Sequence, residues 1–131
     1  RVGDPRGRGI NRKDVCDMIL IVGGASQGKL DFARAELGVH AWSEGVLGEE
    51  DCVRDLHLVI RAMDDPRAAI GAWLEDHPQG VLICDEVGSG VVPTDLEDRA
   101  WREAVGRICC ELAPHAEAVY RVTCGLGMRL K

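Results

Sequence analysis

Apolar residues along the chain fall into two kinds of pattern. Some form short unbroken runs, and others recur every three or four positions. Met18 to Val22 (MILIV) is an unbroken run that stops at Gly23 and Gly24. A run of that length, bounded by glycines, predicts a buried strand. Val81 to Cys84 (VLIC) and Val119 to Thr123 (VYRVT) predict two more, and Val39 to Trp42 (VHAW) predicts a short one. Beyond Gly125 and Gly127, the stretch GMRL predicts an edge strand that pairs back.

Between the runs the period is helical. From Gly28 to Leu37, Leu30, Ala33 and Leu37 share one face, and Gly38 suits the end. The stretch from 49 to 63 (EEDCVRDLHLVIRAM) carries Cys52, Val53, Leu56, Val59, Ile60 and Met63 at helical spacing. Asp65 and Pro66 predict a capped helix start, with Ala69, Ile70, Trp73 and Leu74 on its apolar face and Pro78 beyond its end. Thr94 and Glu97 have capping-box spacing. Behind them, Leu96, Ala100, Trp101, Ala104, Val105, Ile108, Cys109 and Leu112 predict a long helix, with Pro114 at its end. Strands alternate with helices, which predicts an α/β fold with a mostly parallel sheet and helices on both faces.

The chain has 131 residues, enough for one domain with a single core. Residues 18–131 are expected to form it, and residues 1–17 to make a basic, flexible arm. No apolar run is long enough to span a membrane. The basic start is not followed by a long apolar region, so a secretory leader is not expected. A net charge of −6 argues against general nucleic-acid binding. The six cysteines, Cys16, Cys52, Cys84, Cys109, Cys110 and Cys124, include no C-x-x-C pair. They read as reduced thiols in a cytoplasmic protein.

Candidate chemistry begins at Gly23 to Leu30 (GGASQGKL), which nearly matches the phosphate loop G-x-x-x-x-G-K-[S/T]. Such a loop needs glycines to turn backbone N–H groups inward, a lysine for the terminal phosphates, and a helix pointing its positive end at them. Gly23, Gly24 and Gly28 supply the first and Lys29 the second, with Ala25, Ser26 and Gln27 lying between. The position after a strand and before a helix is the required context. Leu30 stands where a hydroxyl ordinarily ligates magnesium. A leucine there is expected to pack with Ala33 and Leu37 instead. Asp85 and Glu86 follow an apolar strand directly and should lie near the loop, because ligands of open α/β sheets bind at the carboxyl ends of strands. Either could hold magnesium. Among the histidines, His57 reads as a packing residue, and His77 and His115 end helices, where a charged imidazole suits the dipole. His40 is the one histidine open to chemistry.

Two blocks, MILIVGGASQGK and DEVGSGVVP with its long helix and VYRVTCGLGMRLK, are together similar to the bifunctional adenosylcobinamide kinase / adenosylcobinamide-phosphate guanylyltransferase family. The similarity runs over about 18–37 and 81–131, and EVGSGVVP (Glu86 to Pro93) is its most specific part. The resemblance implies a RecA-like P-loop fold and an oligomer. It also implies GTP or ATP as phosphoryl donor, a corrinoid alcohol as acceptor, and a second step through a guanylylated histidine. By position, Lys29 and Glu86 would be the catalytic residues, and the loop from Gly23 to Leu30 would hold the phosphates. Three departures shape the expectation: Leu30, Gln27 in place of a serine, and a shortened middle from Val39 to Gly80. Neither His40 nor His57 has a neighbourhood that matches the guanylylated histidine. Kinase activity is therefore expected ahead of guanylyltransfer. A binding homologue without magnesium-dependent turnover and a purely structural subunit are the competing readings.

Overall fold

In the computed structural model, residues 17–87 and 95–131 are described. The capping residue Thr94, most of the EVGSGVVP stretch, Cys16 and nearly all of the basic arm lie outside them. Three parallel strands form the centre of the sheet. They are β1 (Ile19–Gly23), β4 (Val81–Asp85) and β5 (Ala118–Thr123). Strand β1 pairs with the other two in register Ile19↔Val81 and Ile19↔Ala118. Outside β4 come β3 (Cys52–Arg54) and β2 (Ser43–Glu44), both parallel. Strand β6 (Leu126–Arg129) pairs antiparallel on the other edge, as expected, and gives the order β2-β3-β4-β1-β5-β6.

Side chains alternate between the two faces of the sheet, as strand geometry requires. Leu20, Leu82, Cys84, Val53 and Val119 join one buried cluster under α2 (Leu56–Ala62), α3 (Pro66–Asp76) and α4 (Leu96–Leu112). Ile21, Ile83, Val81, Cys52 and Val122 join the other, under α1 (Lys29–Leu37) through Ala33. Leu30 and Leu37 pack against this second cluster, as the sequence predicts. With both faces covered, the strands have to be apolar throughout, which explains their unbroken runs.

Two expectations are overturned in the middle of the chain. The predicted helix from 49 to 63 is in fact β3 followed by α2. Cys52 and Val53 are adjacent and both buried, one on each face of the sheet, and a strand interior allows this. Asp55 then takes a left-handed backbone (φ 58) and turns the chain into α2. The predicted strand from 39 to 42 is irregular. Pairing starts only at Ser43, where the chain comes alongside Val53, while Val39 and Trp42 pack against the α1-side cluster. Where Thr94 was expected to cap α4, Asp95 does so, accepting from the Glu97 N–H at 2.8 Å. Asp65 caps α3 as predicted, accepting from Ala68 N–H at 3.2 Å.

The described Cys52, Cys84, Cys109, Cys110 and Cys124 are free thiols. No helix among the described residues is long and apolar enough to cross a membrane.

Candidate phosphate site at the strand ends

Parallel pairing sets Gly23, the last residue of β1, beside Asp85, the last residue of β4. Gly24 to Gly28 connect β1 to α1 over this edge. Two glycines are required by contacts. A Cβ at Gly23 would collide with the carbonyl of Val122, and one at Gly28 would lie 3.1 Å from Gly125 Cα. Gly28 also has a φ of 88° as the residue capping α1. Ser26 sits at the outer bend with φ 58° and is exposed.

Lys29 is the first residue of α1 and is only 7% exposed. Its Nζ donates to the Gly24 carbonyl at 2.7 Å and pairs with Asp85 Oδ1 at 2.7 Å. A buried ammonium needs such partners. They hold it under the loop, where a helix N-terminus and a fixed positive charge together favour an anion. The loop opens on a cavity of about 390 Å³ whose walls include Ser26, Lys29 and Leu30, together with Arg54, Asp55 and Asp85.

Asp85 and Glu86, both expected near the loop with either able to hold magnesium, are separated by the alternation of the strand. Asp85 faces Lys29. Glu86 accepts from Arg121 of β5 through both oxygens, each at 3.0 Å, while its N–H donates to Gly23 O at 2.8 Å. Asp55, not singled out from sequence, lines the cavity with Asp85, whereas Glu86 does not. Asp55, His57 and Asp85 bring one donor atom each within 4.8 Å of one another. Two carboxylates beside a phosphate-binding loop suit magnesium, which is ordinarily held by one or two carboxylates plus phosphate oxygens. The donor set therefore fits the ion through Asp55 and Asp85.

His57 is buried, as a packing residue would be, but both of its ring nitrogens address Asp85. Nδ1 accepts the Asp85 backbone N–H at 3.3 Å, and Nε2 lies 3.5 Å from Oδ2. The main-chain carbonyl of His57 accepts from Trp101 Nε1 of α4 at 2.7 Å. The sequence signal was modest: a polar residue two places after Asp55, on an otherwise apolar helix face. His40, the histidine left open to chemistry, is exposed. It contacts Gly38 O at 3.3 Å and does not line the cavity.

Gln27 joins the loop to the β5–β6 turn. Its Oε1 accepts the Cys124 N–H at 2.7 Å and its carbonyl accepts the Gly125 N–H at 2.7 Å. Behind β4, the Cys84 thiol donates to the Asp85 carbonyl at 3.4 Å, and Cys109 lies beside it. The interaction with Cys109, and then burial, raise the Cys84 pKa; the same interaction lowers that of Cys109 against the opposing effect of burial.

A mostly parallel sheet with a glycine loop leading from its central strand into a helix, and a lysine set against the acid of the neighbouring strand, defines a P-loop α/β protein. The sequence model of the cobinamide kinase / cobinamide phosphate guanyltransferase (CobU) family matches residues 39–130, well over half of the chain, and the chain belongs to that family. It is 35% identical over 86 residues to the bifunctional adenosylcobalamin biosynthesis protein CobU of Salmonella typhimurium LT2. That alignment covers 64% of this chain and 48% of the relative. With the protein of the same name from Escherichia coli K12 it is 39% identical over 51 residues, 39% of this chain and 28% of the relative. The chain thus spans about half the length, or less, of these relatives. The family match begins after the glycine loop and includes 39–80, the stretch read from sequence as a shortened middle.

Proposed function

We propose that this chain is a nucleotide-dependent phosphotransferase of cobalamin biosynthesis, acting in the kinase half of its family's chemistry. The observation that carries the reading is the buried Lys29. It stands at the head of α1 and bridges the loop carbonyl of Gly24 and Asp85 on the adjacent strand. The loop N–H groups and Lys29 would hold the phosphates of GTP or ATP, and catalysis would rest on positioning and charge. Magnesium, when bound through Asp55 and Asp85, supplies charge neutralisation between the β- and γ-phosphates. Glu86 is engaged by Arg121, so its part in this reading is to position the end of β4. The acceptor is a corrinoid alcohol. The free thiols support a reducing, cytoplasmic setting. An oligomer fits the same reading, since Leu126 and Met128 stand exposed on the edge strand. A monomer mass by light scattering would remove that part.

Calorimetric titration with GTP and ATP, with and without magnesium, tests the site. Binding is expected in wild type and lost in Lys29→Ala. Phosphorylation of a corrinoid alcohol then tests turnover, and its absence with every nucleotide would remove the kinase. A second reading, a binding protein without turnover, is favoured by Leu30, which brings a hydrocarbon to the cavity wall where a hydroxyl is expected. It requires affinity that does not change when magnesium is added.

A further inference from the structure

We infer that Arg54 is a second phosphate-binding cation, which engages the terminal phosphates of a nucleoside triphosphate from the wall opposite Lys29. The inference rests on the phosphate reading of the cavity. Arg54 is the last residue of β3, lines the same cavity as Lys29 and is 36% exposed. Its ion pairs are long, 3.5 Å to Glu44 and 3.9 Å to Asp55. Charge-assisted pairs that bind firmly lie near about 2.7–2.9 Å. Other arginines of the chain reach that standard: Arg61 meets Asp98 and Arg67 meets Glu111, each at 2.6 Å. The Arg54 guanidinium therefore faces a cavity with its own partners only loosely engaged.

Charge in the cavity calls for such a group. Lys29 is already matched by Asp85 at 2.7 Å, and Asp31 and Asp55 add further negative charge to the walls. A polyphosphate entering there needs a cation that is not already neutralised. Among the described residues, Arg54 is the other basic one on the wall. Distance then sets which phosphate it meets. β4 lies between β3 and β1, so Arg54 starts two strand spacings, roughly 10 Å, from the strand that carries the loop. One phosphate held on the loop lies on Lys29's side, whereas a chain of phosphates crosses toward Arg54. The planar fork of arginine suits phosphate oxygens in two-point contact.

The test titrates wild type, Arg54→Gln, Arg54→Lys and Lys29→Ala with GTP, GMP, ATP and AMP, after circular dichroism establishes that each variant is folded. Arg54→Gln is expected to weaken GTP or ATP at least tenfold and to change GMP or AMP less than twofold. Arg54→Lys should recover part of the loss. Equal triphosphate affinity in wild type and Arg54→Gln overturns the inference while leaving the phosphate site intact, provided binding still depends on Lys29. Equal losses for mono- and triphosphates overturn the assignment to the terminal phosphates. If wild type shows no Lys29-dependent binding of any nucleotide, the phosphate reading fails and the inference falls with it.

Discussion

His57 grips Asp85 from two directions. Nδ1 accepts the backbone N–H of Asp85, so the ring proton resides on Nε2, which faces the carboxylate at 3.5 Å. One carboxylate oxygen is left for Lys29 at 2.7 Å. The imidazole thereby fixes the rotamer of the acid that fixes the lysine. Replacing His57 with alanine strands a buried N–H and frees the carboxylate, at a cost of about 1–3 kcal/mol in folding stability. Urea denaturation reads that loss. Nucleotide affinity is expected to fall as well, because Lys29 loses its fixed anchor. Unchanged affinity in a destabilised variant would confine His57 to packing.

Leu30 tests the metal. Leu30→Ser places a hydroxyl at the second position of α1, next to Lys29 and across the cavity from Asp85. Magnesium is expected to strengthen GTP or ATP binding more in this variant than in wild type. The variant should also lose about 1–2 kcal/mol of stability, since Leu30 packs on the α1-side cluster. Calorimetry with and without the ion gives the comparison. An identical magnesium effect in both proteins would mean that the hydroxyl is irrelevant here.

His77 makes stability depend on pH. It stacks on Trp73 at 4.3 Å, with Nδ1 against Trp73 O at 2.9 Å and Nε2 against Glu49 O at 3.0 Å. Burial opposes its charge, but the two carbonyls, with Asp51 and Asp76 nearby, outweigh it and raise the pKa. Both ring nitrogens need a proton to satisfy two acceptors. A raised folded-state pKa stabilises fully below the unfolded value of about 6.5 and is lost as pH rises through the folded value. The urea midpoint of wild type should therefore fall more from about pH 6 to about pH 9 than that of His77→Gln. Parallel profiles would exclude the histidine as their source.

Gln27→Ser, the residue type of the family resemblance, shortens the side chain beyond reach of the Cys124 N–H. The bond is worth about 0.5–1.5 kcal/mol, so exchange of that amide should speed up roughly two- to tenfold. Hydrogen exchange at Cys124 measures it. The Gly125 N–H, held by the main chain of Gln27, should change less.

Seven elements could be read in the sequence because each is long or well punctuated. β1, β4 and β5 are unbroken apolar runs, α1 has a periodic face and a closing glycine, α3 and α4 have caps and periodicity, and β6 follows a glycine turn. β2 and β3, with two and three residues, carry too few positions to show a period. The apolar positions of β3 and α2 together mimic one helix. The loop, Lys29 and Asp85 were placed together correctly, because strand ends of one parallel sheet share an edge. Asp55 and His57 were not, because their meeting with Asp85 depends on β3 lying beside β4, and β3 itself was hidden. Gln27 was read as a departure from the family's serine. Its partner, Cys124, is almost the whole domain away in sequence, and only the β5–β6 turn brings the two together.

That turn also offers a reporter. Cys124 is exposed, its φ is 53°, and its own N–H is held by the residue two places before Lys29. A thiol-reactive fluorophore placed there, with Cys16 and Cys110 changed to serine, would sit on the turn that Gln27 ties to the loop. Its emission would follow the loop as it fills and empties, in real time and without a coupled assay. The same label would follow an unreactive nucleotide as readily as a reactive one, so occupancy could be read separately from turnover.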